Sequence, residues 1–552
     1  MTVSRVPGTE ARAGRFPGPS LIPDLHEIQR EHGWLPREEL VKLSRDRRRP
    51  LYEIEGLISF YPHFLTSPPA AAEVACCHDL SCWLHGSDER IAALRNDPSI
   101  EIREVSCIGR CDRAPAVSTD TAEVRRSEVQ RPNDPYEPAA RDYRVLREAL
   151  AGERDLGQLV EELKEAGLRG MGGAGFPTGT KWELVAKQEA TPKYAICNAD
   201  ESEPGTFKDR QILAEQPHLV LAGLVLGMLA TGCAEGWVFI RHEYEPEEDV
   251  LGEELERLRG LGLLDEAGVT VDIFTSPGGY ILGEESALIE CMEGHRGEPR
   301  NKPPFPGVAG LWGKPTLMNS VETFAHVPVI AERGSDWWKS QGVNDGTGLK
   351  FFAVSGHVAN PDVYCVPMGT TTRELIELAG GVSDGRELLA FQPGGASSNF
   401  LGPDQLDVPL DFGPLAEAGS MLGSGAVVVI AEGTDLLAAA TNVLRFFRNE
   451  SCGKCVPCRV GSEKAHAILS ELVESGGGPD DVDERIVELE ATMRLTSICG
   501  LGQVALGPAI SVLGMKRGGT AARPQPRPAR PPDQTTGQTD GGPDSPDDAV
   551  GS

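Results

Sequence analysis

Three cysteines in Cys452-Gly-Lys-Cys455-Val-Pro-Cys458, and a fourth at Cys499 after 40 intervening residues, constrain this chain more than any other feature. Thiolates in a C-x2-C-x2-C run can cap three irons of a cubane, and a distant fourth completes the set. A single tetrahedral zinc ion does not easily accept so tight a triplet, so a [4Fe–4S] cluster is the reading and zinc the alternative. The fold must therefore bring two distant segments to one point. A helix over Asp435–Arg448, with Leu436, Ala439, Ala440, Val443, Leu444 and Phe447 on one face, delivers the chain to that loop.

A second set stands near the other end. Cys77-x4-Cys82 is followed, after 24 residues, by Cys107-x3-Cys111, a two-plus-two arrangement in which each pair grips one iron of a [2Fe–2S] rhomb. Paired cysteines suit tetrahedral zinc too, so that alternative is stronger here. Cys76 makes the first ligand ambiguous, and the x4 spacing favours Cys77. Of the 13 cysteines, the remaining five (Cys76, Cys197, Cys233, Cys291 and Cys365) read as small buried core residues. Thiols kept for clusters rather than disulfides indicate a reducing, cytoplasmic setting.

With 552 residues the chain calls for several domains, roughly three to five. Its 53 basic and 83 acidic residues give a net charge of −30, which repels phosphate backbones and argues against nucleic-acid binding. No signal-peptide core stands at Val3–Pro23. The longest uncharged apolar run, Leu219–Ala234, carries three glycines and is shorter than the roughly 20 residues of a membrane helix. It reads as a buried helix, and no membrane insertion is expected.

Helical spacing runs from Leu21 to about Ser67, with a break at Gly33–Pro36. A strand at Glu73–Ala75, a helix at Asp88–Arg95 and a strand at Ile100–Val105 surround the first cysteine loops as a small α/β unit. Further strands are predicted at Tyr194–Cys197, Gly236–Ile240 and Val269–Phe274. A third unit opens on Leu349–Ser355, holds one short helix at Thr371–Leu378 and closes on Gly425–Ala431, a pattern resembling a β-grasp module.

Between Leu168 and Trp182 a formal G-x-G-x-x-G falls at Gly170, Gly172 and Gly175. A dinucleotide fold needs a strand before it and a helix after it. Here an amphipathic helix (Leu156, Leu159, Val160, Leu163) precedes the loop, and Pro177 and Gly179 interrupt what should follow. The doubly wound dinucleotide fold is therefore rejected, although bare backbone N–H groups still approach a phosphate or a flat ring closely, with Lys181 adding a positive charge. The alternative is a glycine-rich surface loop. Cys197-Asn198-Ala-Asp200-Glu201-Ser-Glu203 directly follows a strand and, with Asp209, places four carboxylates at its end. Such a group is costly unless it is solvated or binds something. Ribityl and ribose hydroxyls are suitable partners, and an acid at the adenosine ribose repels a 2′-phosphate and favours NADH over NADPH. An exposed acidic loop is the alternative. Glu284 and Glu285 open a helix, where anions are also simply stabilising.

Taken together, GAGFPTGTKW, CNADESEPGTFKDR, YILGEESALIE, RGEPRNKPPFP, PTLMNSVET and ESCGKCVPCR, in this order, resemble the NADH-binding flavoprotein subunit of the respiratory complex I family. The family includes the diaphorase subunits of NAD-linked formate dehydrogenases and hydrogenases. The resemblance covers roughly 140–515, and residues 21–117 resemble its small thioredoxin-like [2Fe–2S] partner, here joined in front. It implies a multidomain α/β and α+β chain: a disordered start (1–20), a helical segment (21–70), a thioredoxin-like [2Fe–2S] domain (71–119), a linker (120–142), an FMN/NADH-binding domain (143–340), a ligand-binding β-grasp domain (345–432), a helical [4Fe–4S] domain (433–515) and a disordered tail (516–552).

The same resemblance implies that FMN lies against Gly170, Gly172, Gly173 and Lys181, with Asn198, Asp200, Gly283 and Asn319 around it. NADH is expected to stack over the flavin and against Phe176 and Phe305, with Glu203, Tyr280, Glu284 and Glu285 nearby. Hydride passes between NAD(H) and FMN, and single electrons pass through the [4Fe–4S] cluster, with the [2Fe–2S] cluster beside that path. Hydride transfer needs no protein general base, so no catalytic residue is nominated. The implied partners are other subunits of a redox complex: iron–sulfur subunits with molybdenum, nickel–iron or quinone-reducing ones. Met171 stands where relatives usually have arginine, Ser320 where they have a second asparagine, and Leu184 where some have an aromatic. These departures motivate a rival reading, an electron-relay subunit with a decayed flavin site. A zinc-stapled binding module is the other.

Overall fold

The computed structural model describes residues 20–70, 72–118, 142–476 and 482–516. The stretches read as a disordered start, a linker and a disordered tail lie outside the described residues but for one residue at an edge of each.

Three sheets organise the described residues. Strands β1 (Glu73–Cys77) and β2 (Glu101–Val105) form a parallel pair. The central sheet holds β3 (Tyr194–Ala199), β4 (Glu235–Arg241), β5 (Thr270–Ser276) and β6 (Thr316–Ser320) in the order β5-β4-β3-β6, all parallel. The third sheet has the order β8-β7-β10-β9, from β7 (Leu349–Gly356), β8 (Asp362–Pro367), β9 (Leu388–Gln392) and β10 (Ala426–Ala431); β10 runs parallel to β7 and antiparallel to β9. Parallel strands covered on both faces read as apolar runs, as Tyr-Ala-Ile-Cys and Trp-Val-Phe-Ile do.

Helices cover both faces of the central sheet. On one face Leu159, Leu224 and Phe324 join Val238 and Ile240 in a core continuous with the third sheet. On the other, Leu21, Ile22 and Leu25 of the N-terminal helices pack with Ile196, Phe239 and Met318. The Tyr61 hydroxyl donates to the His295 carbonyl at 2.6 Å and ties that segment down. The apolar run is the helix Pro217–Thr231, buried on nearly every side between these layers and ended by the left-handed Gly232. Among the described residues no single helix is long and apolar enough to cross a membrane; Lys208–Glu215 with Pro217–Thr231 would pass together, but they meet at 96°.

Two expectations need correcting. Pro177 and Gly179 do not interrupt a helix: Thr178–Ala186 is helical, and Pro177 stands immediately before it, where its missing N–H is harmless. The rejection of a dinucleotide fold rests instead on the segment before the loop, which is the helix Leu156–Glu165 and not a strand. The third unit contains a second short helix, Phe412–Glu417, as well as Thr372–Leu378.

Candidate functional site

Open parallel sheets leave a crevice beyond their carboxyl edge where neighbouring connections diverge. Here β3 has β4 on one side and β6 on the other, and a cavity of about 300 Å3 opens at that edge. Asn198, the last residue but one of β3, and Ser320, ending β6, are register partners and both line it.

The glycine loop is closed on itself. Gly170 N–H donates to Phe176 O (2.9 Å), Gly175 N–H to Gly170 O (3.2 Å) and Thr178 N–H to Leu168 O (2.8 Å). Arg169 donates to Gly175 O at 2.7 Å while its guanidinium lies 4.1 Å over the Phe412 ring. This presents Gly172 and Gly173 to the cavity, the latter at φ +121°. Met171 turns the other way: its side chain is in the core and its N–H donates to Thr323 Oγ1 at 2.9 Å.

The acidic segment divides its labour. Asp200 and Glu203 line the cavity. Burial pushes Asp200 up to about 7 against the pull of Arg241, and Glu203 is also raised by burial. Glu203 accepts the Ser397 N–H at 2.7 Å, so the third sheet's module holds it. Glu201, though also in the wall, mainly ties the next helix: it accepts N–H groups of Asp209 (2.8 Å) and Arg210 (3.0 Å) and the Tyr244 hydroxyl (3.0 Å). Asn198 donates to Gly283 O at 3.0 Å and joins the two loops. Glu284 caps the helix Glu285–Met292 and, with Glu285, receives Lys302 at 2.7 and 2.9 Å. The helix-stabilising reading of this acid pair is thus realised, and Glu284 reaches the cavity as well.

Of the predicted site residues, Gly172, Gly173, Asn198, Asp200, Glu203, Tyr280, Gly283 and Glu284 share one cavity wall. Gly170, Lys181, Asn319, Phe176, Glu285 and Phe305 are outside it. Lys181 donates to Met318 O (3.0 Å), and Asn319 accepts the Trp182 indole N–H (3.0 Å). Phe176 and Phe305 stand 37% and 49% exposed. Sequence reasoning missed Ser397, Gly423 and Ser424 from the connection between β9 and β10, and Leu501 and Val504 beyond Cys499. No motif marks them, although glycine and serine beside a strand start are a weak signal.

The first cysteine set converges. The Cys77 thiol meets those of Cys82 and Cys107, and Cys107 Sγ lies 3.5 Å from Cys111 Sγ. Cys76 instead packs with Ile91 and Val117. The Cys107–Cys111 loop is clamped by the central domain. Arg241 donates to Cys107 O, Arg210 to Gly109 O and Asp112, and Arg110 pairs bidentately with Glu247 at 2.8 and 3.0 Å. Gly205 N–H donates to Cys111 Sγ at 3.3 Å, two residues from Glu203. In the second set Cys455 precedes the helix Val456–Ser475 and Cys499 the short helix Gly500–Val504. Burial raises the thiols of Cys452, Cys458 (to about 11) and Cys499 (to about 12). Thiols so raised ionise readily only beside a positive charge such as a bound metal.

These residues fit the groups the sequence implies. Asp200 Oδ1 is a buried acceptor without a hydrogen-bond partner, in the wall beside bare glycine backbone, where a hydroxyl-bearing ribityl chain and a flat ring are accommodated. In the first set Cys77 meets Cys82 and Cys107, and Cys107 meets Cys111; in the second, Cys452 lies within electrostatic reach of Cys455, Cys458 and Cys499. Both sets neighbour the cavity, the first through Gly205, which lies between the wall residues Glu203 and Thr206, the second through Gly500–Leu501. Such an arrangement serves a redox protein that exchanges electron pairs with a bound nucleotide and single electrons with its surroundings. Comparison with known proteins agrees. Residues 163–329 match the Nuo51 FMN-binding domain, 438–517 the NADH-ubiquinone oxidoreductase-F iron-sulfur binding region, 15–133 the thioredoxin-like [2Fe-2S] ferredoxin and 351–399 the SLBB domain. The second F-type subunit of the NADH-quinone oxidoreductase of Rhizobium meliloti is 45% identical over 66% of this chain and 87% of its own length. The NADP-reducing hydrogenase subunit HndC of Solidesulfovibrio fructosivorans is 41% identical over 67% and 78%. An NAD+-reducing [NiFe]-hydrogenase structure superposes with a TM-score of 0.81 at 30% identity, covering 93% of this chain and 95% of that one. The chain belongs to the family of the F-type subunits of NADH-quinone oxidoreductase and carries in front of that body the thioredoxin-like [2Fe–2S] domain.

Proposed function

We propose that this chain oxidises NADH, or reduces NAD+, at FMN in the cavity beyond β3 and β6, and exchanges electrons singly with partner subunits through its clusters. One observation carries the reading: the cavity wall includes Glu203 and Thr206, which flank the Gly205 N–H bonded to Cys111 Sγ, on one side and Gly500–Leu501, next to Cys499, on the other. When bound, FMN accepts or donates a hydride and the clusters carry one electron at a time.

The chain's own residues do the rest. Gly172 and Gly173 let a planar ring approach the backbone. Asn198 and Asp200 offer hydrogen bonds to hydroxyls, and Asp200 has an oxygen free for one. Glu203, fixed by Ser397, and Glu284, fixed by its helix, set an acidic wall that disfavours a 2′-phosphate and selects NADH. Phe176 and Phe305, being exposed, are available to cover a nucleotide, and Lys181 remains within the same unit. Met171 points into the core, which removes one of the two motives for a decayed flavin site; the other, Ser320, lines the cavity.

Its partners are proposed to be the iron–sulfur and the molybdenum, nickel–iron or quinone-reducing subunits of a cytoplasmic redox complex. The test is anaerobic. Purified chain with clusters intact should show a flavin absorption band that NADH bleaches, and should reduce an artificial dye with NADH at least tenfold faster than with NADPH, the ratio expected of a repelled phosphate at about 1.4 kcal/mol. A flavin band untouched by NADH would sink the reading.

A further inference from the structure

Helix Leu436–Asn449 runs from the third sheet to the Cys452 loop and touches the other cofactor loops on its way. Asn442 Nδ2 (3.0 Å) and Arg445 Nη2 (2.6 Å) both donate to the carbonyl of His78, which follows Cys77. Phe446 and Phe447 then hold the Tyr280 ring edge-on, with centroids 4.9 and 6.1 Å away. At the helix end Glu450 divides its two oxygens. Oε2 accepts the Tyr280 N–H at 2.8 Å, and Oε1 accepts the hydroxyl of Ser106, which precedes Cys107. Cys452 is two residues further on.

Local stability does not explain this acid. Glu450 caps the C-terminus of its helix, where the dipole favours cations and disfavours carboxylates. It is also half-buried, which adds a desolvation cost. What it gains is two donors from two other parts of the chain. We propose that Glu450 is a positioning residue that locks the Cys107 loop and the Tyr280 loop to the Cys452 loop, so that the nucleotide wall and the surroundings of the first cluster are set by one side chain. The proposal rests on reading the two cysteine sets as clusters and the cavity as the NADH site.

Three variants of the full chain, loaded with FMN and clusters, test it. Iron, sulfide and flavin contents and NADH bleaching in the unaltered chain establish the underlying reading separately. Glu450→Ala is expected to raise KM for NADH roughly fivefold to tenfold with kcat less affected, the scale of one lost charge-assisted hydrogen bond. It is also expected to shift the [2Fe–2S] electron-paramagnetic-resonance signal while the [4Fe–4S] signal persists. Glu450→Gln should restore KM, because its amide can accept from Tyr280 N–H and donate to the Ser106 oxygen. Ser106→Ala, which leaves Glu450 in place, should shift only the [2Fe–2S] signal. Unchanged KM and unchanged [2Fe–2S] signal in Glu450→Ala would overturn the proposal, as would failure of Glu450→Gln to rescue KM or loss of the [4Fe–4S] signal alone. If Glu450→Ala does not fold, an unmoved [2Fe–2S] signal in Ser106→Ala overturns it equally.

Discussion

At Gly175 the absence of a methyl group lets the flavin-side loop close: the residue sits at φ +62°, and a Cβ would meet Phe412 Cε1 at 2.5 Å. Gly175→Ala is therefore expected to destabilise the chain by about 1–3 kcal/mol through strain and overpacking, and to lower the flavin-to-protein ratio. Pairing it with Phe412→Leu should recover only part of the loss, because the backbone strain stays; thermal unfolding and bound-flavin absorbance check both. Asp200 makes the second residue-level prediction. Burial lifts its pKa from the ordinary 3.8 to about 7, so the folded chain holds a proton that the unfolded chain releases. The stability tied to that proton is fully present below the usual carboxylate range and is lost as pH rises to about 7. Asp200→Asn in flavin-free protein should flatten this decline by at most about 4 kcal/mol, the linkage equivalent of the shift, and denaturant midpoints across that range measure it. An unaltered pH slope would mean that Asp200 is not held neutral.

Elements were legible where one pattern had one cause. Buried parallel strands announce themselves as apolar runs, so Tyr194–Ala199, Glu235–Arg241 and Ala426–Ala431 could be read within a residue or two. Strand β6 could not, because Thr316–Ser320 follows a proline and ends in Asn-Ser, the composition of a loop. Pro177 misled for the opposite reason, since a proline breaks a helix inside it but suits the position before it. The candidate site was half legible. Glycines and acids beside a strand end mark a wall, but the directions of Lys181 and Asn319 depend on β6, and the contributions of Ser397 and Leu501 depend on packing between modules. The loop joining the small domain to the central one was likewise invisible. Its anchor, Arg110 with Glu247, is fully buried on both sides. Arg110→Ala should cost about 3–5 kcal/mol by leaving a buried carboxylate unpaired, whereas Arg110→Met with Glu247→Leu should cost much less. Limited proteolysis within the small domain and denaturant unfolding separate the two, and equal losses would discount the pair as an anchor.

Across the whole molecule the cavity belongs to no single module, and its integrity should follow the contact between the central and third sheets. That contact is electrostatic at its centre. Lys350 of β7 and Lys208 both reach Glu322, at 3.0 and 2.9 Å, and Lys208 also pairs with Asp209 at 2.6 Å, all of them buried. Burial alone would raise Glu322, yet the two ammonium groups hold it well below the usual carboxylate range. Burial lowers the Lys350 pKa against the opposing pull of Glu322. Replacing Lys350 by Met keeps the length of the side chain and removes one of two counter-charges, which should cost about 3 kcal/mol or more. The same change loosens the module that supplies Ser397, Gly423 and Ser424 to the wall. Lys350→Met should therefore weaken flavin retention, read as FMN fluorescence released on dilution, without disturbing the [4Fe–4S] signal, since the Cys452 set is anchored elsewhere. A variant that unfolds earlier yet keeps flavin as tightly as before would show that the third sheet leans against the cavity without helping to close it.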